Sequence, residues 1–337
     1  MYWLGLDHHK RNTYVTSLDE KGQVVFRGNL SAKPQDLADF FAKHPRPFTA
    51  GMEATYAWEY VADMVEGLGQ TMRVGHPVLL KAFARRHKKN DKVDSALCAH
   101  LLWRGDFPAI VHPPQSARQQ RDLYRQRMEL VARRTSAANR AKALADRMGF
   151  QAVMNLSTLK GIQAWEALPF SKESQAVVES HVKYLTFLYQ AIHILEKAID
   201  QVATRTPQTQ WLGTVPGIGH YLALLIASEV FDIERFGNSR RFAAYAGVAP
   251  GSWSSAGKVF ASHLCPNANK YLRWEFTETV VHYITACPWA RTKYERLKRS
   301  KGWKTARLAI ARHVAIVAYR LLKEGRPYED RPPKRAP

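Results

Sequence analysis

Acidic residues are scarce in this chain: 29 Asp and Glu stand against 50 Lys and Arg in 337 residues, a formal net charge of +21. An imbalance of that size points to a polyanionic partner, nucleic acid first and a membrane surface as the weaker alternative. Cysteine is scarce too. The three present (Cys98, Cys265, Cys287) are widely spaced and form no CxxC pair. Neither a disulfide framework nor a zinc site is expected from them, and they read as reduced thiols of a cytoplasmic protein. Long apolar runs are missing: stretches such as "YLALLIASEV" stop at about ten residues, half of the ~20 that a bilayer span needs. The start, "MYWLGLDHHK", lacks the basic-then-apolar layout of a signal peptide, so neither export nor a membrane location is expected. What is present, 46% hydrophobic and 11% aromatic residues, suits a folded protein of two or three domains.

Residues 1–110 alternate in period. "YWLGLDHH" and "NTYVTSLDEKGQVVFRGNL" are β-rich, with "DEKGQ" as hairpin turn chemistry. "KPQDLADFFAKH" and "TYAWEYVADMVEGLG" have helical spacing, whereas "PFTAGME" and "QTMRVGHP" read as strands. "PVLLKAFARRHKKN" fits a helix or a loop, and "DKVDSALCAHLLWRG" a helix ending at Gly105. Three strands, a helix and then strand–helix alternation predict a mixed α/β sheet.

Four acids stand out in this basic setting. Asp91 and Asp94 lie three apart, on one side of a helix start. Asp7 and Glu53 close two predicted strands, where functional groups of open α/β sheets gather. Converging carboxylates among Lys and Arg suit a pair of hard divalent cations, Mg²⁺ or Mn²⁺, that clamp a phosphodiester. A blander reading stays open at this point: Asp91 as an N-cap, Asp94 as a dipole partner, Asp7 in a turn and Glu53 on the surface.

"LGLDHHKRNTYV", "AGMEATYAW" and "KNDKVDSALCAHLL" together resemble the four-acid tetrad of RuvC-like nuclease domains. More narrowly, they resemble the DEDD transposases of insertion-sequence family 110, the Piv-type recombinases. The resemblance implies a RuvC-like (RNase H-like) fold and a catalytic, metal-holding tetrad of Asp7, Glu53, Asp91 and Asp94. His8 and His9 follow the first acid where the family carries a different fragment, and strand-end histidines usually read as structural.

Residues 111–206 change character. Tyr124, Met128, Val131, Thr135, Ala138, Ala145 and Met148 keep a spacing of three or four for much of the first half. Val178, Val182, Leu185, Leu188, Ile192, Leu195, Ile199 and Val202 keep it more strictly in the second. Both stripes predict long helices, paired as an antiparallel hairpin or as a dimeric coiled coil. Arg118, Arg121, Arg125, Arg127, Arg133, Arg134 and Arg140 read as lying off the stripe with few local acids, Asp122 and Glu129. A solvated charged face is the bland reading, and the excess favours phosphate contact over it, with Arg133 and Arg134 as candidates.

From residue 207, "TVPGIGHYLALLIASEV" resembles a helix–hairpin–helix turn, in which Gly217 and Gly219 let backbone approach a phosphate. A plain helix cap is the other reading of that motif. Followed by "FAAYAGVAPGSWSSAGK" and "NKYLR", it looks like the C-terminal transposase domain of the same family, in the same order. The resemblance implies a serine nucleophile at Ser254, with Ser255 the neighbouring register, and phosphate contacts from Lys258, Lys270 and Arg273. Ala256 stands where glycine is common, and "LCPNANKYLR" departs from the family's usual stretch.

The expected architecture is therefore α/β plus all-α. It comprises the RuvC-like mixed-sheet domain (1–110), a long helical or coiled-coil connector (111–206), a mostly helical transposase domain (207–325) and a polar tail with a disordered composition (326–337). The activity implied is cutting and rejoining of donor and target DNA through a phosphoserine. It would use a composite site, a structured non-coding guide RNA and a homo-oligomer, dimer or tetramer, in the prokaryotic cytoplasm at the nucleoid. Two other readings stay open: a junction-resolvase-type metal nuclease that needs no serine, and an inactive nucleic-acid-binding relative.

Overall fold

The computed structural model describes residues 1–83, 90–150, 154–203, 206–250 and 268–330, and the backbone of 253–255 and 258–260. The chain divides into two compact units, Met1–Ser116 and Ala117–Pro337.

The first unit is the mixed α/β sheet that the alternation predicts. Tyr2–His8 (β1), Asn12–Leu18 (β2) and Val24–Ser31 (β3) form an antiparallel meander. The "DEKGQ" turn closes as its chemistry suggests: the Asp19 carboxylate accepts hydrogen bonds from the backbone N–H groups of Lys21 (2.9 Å) and Gln23 (2.8 Å), and Gly22 takes φ +74°. Pro34–Lys43 (α1) then leads to Phe48–Glu53 (β4), which runs parallel to β1. Trp58–Gly67 (α2) leads on to Thr71–Gly75 (β5), parallel to β4, and the sheet order is β3-β2-β1-β4-β5. Pro77–Phe83 (α3) settles the ambiguous stretch as a helix up to Phe83, and 84–89 lie outside the described residues. Asp91–Arg104 (α4) ends at Gly105, whose φ of +78° is the left-handed cap that glycine adopts freely.

The second unit is helical. Gln115–Arg147 (α5) and Gln175–Val202 (α7) form an antiparallel hairpin, with Leu159–Glu166 (α6) between them. Arg127, early in α5, pairs with Glu196, late in α7 (2.5 Å), which fixes the direction. The buried stripe of α5 runs through Leu130, Ala137, Ala141 and Leu144 as well as Tyr124 and Ala138, while Thr135 is exposed. On α7, Val178, Leu185, Leu188, Ile192 and Ile199 are buried as predicted, and Val202 is exposed. A second row on α7, Val177, Tyr184, Phe187 and Ile194, lies at heptad spacing and 44 to 67% exposed.

The arginines of α5 correct the sequence reading. Arg118 is buried, and Arg125 holds the fully buried Glu229 by two hydrogen bonds (2.5 and 2.8 Å). The partners come from distant segments, Glu196 and Glu229, so a local count of acids underestimates the pairing. Arg133 meets Glu129 one turn back at 2.5 Å.

The remaining helices are Pro207–Gly213 (α8), His220–Val230 (α9), Ser239–Tyr245 (α10), Lys270–Ala286 (α11), Pro288–Lys301 (α12) and Trp303–Glu324 (α13). Phe242, Phe276, Val280, Ile310 and Val314 centre their shared core, which α13 closes. A short hairpin, Trp253–Ser255 (β6) with Lys258–Phe260 (β7), stands between α10 and α11. The tail begins ordered, against its composition. Tyr328 shares hydrogen bonds with Tyr283 (3.0 Å) and Cys287 (3.4 Å), and its N–H donates to Thr214 (2.8 Å). One half-buried aromatic anchors an otherwise polar stretch.

Glu275 on α11 is 1% exposed and neither carboxylate oxygen has a hydrogen-bond partner among the described residues. Burial first, then the Glu229 charge, raise its pKa well above 4.5, so the neutral acid is the folded form. A carboxyl raised by folding contributes stability that is complete below about pH 4.5 and is lost as pH rises, at about 1.4 kcal/mol per unit until the folded group ionises. Glu275→Gln, neutral at every pH, is expected to melt roughly 5 °C or more above the parent at neutral pH, with the gap closing toward acid. Melting curves that coincide from acid to neutral pH would refute a neutral Glu275.

Candidate active site

Strand parity builds the site. Along β1, Leu4 and Leu6 point into the core beneath α1 and α2, as do Ala50 and Met52 of β4. Because successive side chains alternate faces, Gly5 and Asp7, and Gly51 and Glu53, belong to the opposite face. The parallel register pairs Leu6 with Met52, so Asp7 and Glu53 are the next residues along each strand. Two acids at the carboxyl ends of adjacent strands thus share one face, as expected of an open α/β sheet.

Helix α4 covers that face, and glycine decides how closely. A Cβ on Gly5 would lie 1.9 Å from the backbone oxygen of Ser95 and 2.4 Å from the backbone nitrogen of Ala99. Only glycine lets the helix rest directly on the strand. The buried hydroxyls of Thr16 and Ser95 join at 2.9 Å and fix the same contact. Asn90, not Asp91, caps the helix by accepting from the Lys92 N–H (3.1 Å). That answers the capping alternative: Asp91 occupies the first turn without being needed as its cap.

Asp7, His9 and Asp91 offer donor atoms that all lie within 4.8 Å of one another. His9 Nε2 is 3.2 Å from Asp7 and 3.8 Å from Asp91. Glu53 and Asp94 line, with Asp7, the same cleft of about 810 Å³, whose wall also carries Arg27, Lys81 and Lys92. Burial, offset by His9 and reinforced by Asp91 and Asp94, pushes the Asp7 carboxyl above its ordinary 3.8. A carboxylate strained by burial and by like charges gains from a cation. The donor set of Asp7 and Asp91, with Glu53 and Asp94 lining the cleft of Asp7, fits a hard divalent ion. Cys98 beneath them is inert: burial, then Asp7, Glu53 and Asp94, lift its thiol to about 12.

The two histidines separate. His8 is buried on the other face, sharing hydrogen bonds with Thr13 (2.6 Å) and Tyr60 (3.2 Å), and is structural as its strand-end position suggests. His9 lies between two of the acids, and sequence reasoning undervalued it. Parity holds the signal, since Asp7 and His9 are two apart.

In the second unit, Gly217 takes φ +87° and packs tightly: a Cβ there would meet His282 Cβ at 2.8 Å and the Thr279 backbone oxygen at 2.9 Å. Gly219 caps α9 with open space around it. Lys270 opens α11, exposed, with its ammonium 5.0 Å from the Tyr271 ring centre. Asn269 caps α11 and donates to Glu229 (2.7 Å), the carboxylate that Arg125 holds. The β6–β7 register sets Ser254 opposite Val259 and Ser255 opposite Lys258. Ala256 and the "LCPN" departure lie outside the described residues.

Comparisons with known proteins agree on one family. Residues 4–149 match the model of DEDD transposases of the IS110 type, described as a transposase. Residues 209–295 match the transposase IS116/IS110/IS902 family. A probable family 20 transposase of Pseudomonas aeruginosa is 28% identical over 278 residues, 80% of each chain. The transposase for insertion sequence element IS1328 of Yersinia enterocolitica is 24% identical over 89% of this chain and 86% of its own. That for IS1111A of Coxiella burnetii is 26% identical over 80% and 74%. With both domains matched in the order that the sequence motifs run, and relatives aligned along most of their lengths, the chain belongs to the IS110 family of insertion-sequence transposases.

Proposed function

We propose that this transposase cuts and rejoins DNA strands through a phosphoserine at Ser254, with Mg²⁺ or Mn²⁺ held by Asp7, Glu53, Asp91 and Asp94 in a RuvC-like domain. The observation that carries the reading is the approach of Asp7 to Asp91, with Glu53 and Asp94 lining the cleft of Asp7 beside Lys81 and Lys92. When bound, a divalent ion there supplies charge stabilisation for phosphoryl oxygens. The chain's own groups do the rest. Ser254 gives up its proton and its Oγ forms a bond to phosphorus. One P–O bond of the DNA breaks, and the freed strand end leaves as a hydroxyl. In the return step a strand hydroxyl attacks the phosphoserine and releases the serine, so no external energy source is needed.

The basic residues of the cleft, with Arg133, Arg134, Gly217, Gly219, Lys258, Lys270 and Arg273, serve nucleic-acid backbones in this reading. The +21 charge has room for a structured guide RNA beside donor and target DNA. The connector (111–206) and the transposase domain (207–325) are its other functional parts. A homo-oligomer belongs to the same proposal, supported by the exposed heptad row on α7, and sedimentation at rising concentration reads it. No described helix is long and apolar enough to cross a membrane.

The test is cation dependence. Strand cleavage on a DNA carrying the element's ends is expected to vanish in excess chelator and to return with Mg²⁺ or Mn²⁺. Full activity in the chelator would remove the metal from the proposal.

A further inference from the structure

A second cleft, of about 700 Å³, opens between α11, α12 and α13, wholly within the second unit. Its wall carries five cations, Arg273, Lys293, Lys304, Arg307 and Arg312, and no carboxylate. Arg307 is matched by Glu278 (2.8 Å), whereas Lys293, Lys304 and Arg312 have no acid within ion-pair distance among the described residues. Val248, Leu308 and Ile316 give the cleft an apolar lining. Trp303 at its rim is 54% exposed, an unusual position for so large an apolar ring, and the Lys304 ammonium stands 5.7 Å from its centre. His313 adds a neutral imidazole: burial first, then Lys293 and Arg320, lower it to about 4, and its Nε2 is buried with no hydrogen-bond partner among the described residues.

Charge alone would suit any polyanion. The apolar lining and the exposed ring narrow the choice. A duplex offers phosphates to a convex basic surface and keeps its bases stacked, so it would leave this lining unused. An unpaired strand offers a phosphate and an aromatic base at every step, and strand-binding proteins meet it with cations beside an aromatic platform. The volume is that of a pocket for a small molecule, room for a nucleotide or two. The wall reaches Pro250, four residues before Ser254 in the chain, which favours a DNA strand under reaction over RNA.

We propose that this cleft binds an unpaired segment of the DNA strand being cut, a base lying on Trp303 and the flanking phosphates on Lys293 and Arg312. The choice of DNA rests on the proposed serine chemistry; the affinity for an unpaired strand does not. The test is equilibrium binding of the full chain to three fluorescein-labelled probes: a short oligothymidylate, a duplex of the same length and the corresponding oligouridylate. Trp303→Ala is expected to weaken the single-stranded DNA probe roughly 10-fold or more and the duplex hardly at all, with the salt dependence unchanged. Trp303→Phe should retain most of the affinity, because a smaller ring still stacks. Arg312→Gln should lower the salt slope for the single strand by roughly 0.7, one phosphate contact. Equal losses on duplex and single strand, a loss confined to the RNA probe, or a Phe variant as weak as Ala would each overturn the proposal. Ser254→Ala leaves this binding in place, so a failure of the serine chemistry and a failure of the cleft are read separately.

Discussion

Asp7→Asn is expected to abolish strand transfer, by roughly 1,000-fold or more, while nucleic-acid binding stays equal or tightens. The substitution keeps the size of the side chain and removes one charge. Asp7 is the acid most committed to the site: half-buried, within 4.8 Å of Asp91 and His9, and raised in pKa by burial and its acidic neighbours. An amide there holds a divalent ion poorly, and losing charge stabilisation at phosphorus costs several kcal/mol in the transition state. Repulsion of the DNA phosphates falls at the same time, so affinity should not suffer. Glu53→Gln is expected to act in the same direction, since Glu53 ends the neighbouring strand in the same cleft. Recombination assays beside binding curves separate the two effects. A recombination rate for Asp7→Asn within a few-fold of the parent would take Asp7 out of the site.

Ser254→Ala carries the other large effect. A serine hydroxyl is a weak nucleophile that needs a base, a metal or nearby positive charge. Quenching the reaction under denaturing conditions is expected to trap protein covalently joined to DNA, mapped by peptide mass to Ser254. The alanine variant should lose both adduct and recombination and still bind nucleic acid, because only one oxygen is removed. The hairpin register gives Ser255 its own interest, as it is the residue opposite Lys258. An adduct at Ser255 would shift the assignment by one residue. Cleavage by Ser254→Ala at the parent rate, with no adduct in either protein, would instead favour a water-using metal nuclease.

Much of this was legible in the sequence where local chemistry decides. The strands, the "DEKGQ" turn and the Gly105 cap follow from short-range rules, and the i, i+3 spacing put Asp91 and Asp94 on one side of α4. The approach of Asp7 to Asp91 was less visible, because it depends on Gly5 allowing a helix to lie on a strand some 90 residues away. His9 was undervalued because a strand-end histidine is usually structural, as His8 is. The arginines of α5 were misjudged for a related reason: their partners Glu196 and Glu229 are far along the chain. The α5 stripe missed Ala137 and Ala141 because small residues can be buried without announcing a face. Tyr328 shows how little a polar composition says once one aromatic finds a partner.

The junction of Arg125, Glu229 and Asn269 also has a mechanical side. Arg125 lies eight residues, about 12 Å along the axis, before Arg133 on the same helix. Glu229 joins it to Asn269, the cap of α11 and the point at which the chain leaves the stretch that bears Ser254. The buried Glu229 carboxylate thus ties α5 to the cap of α11, so these two helices are expected to move as one.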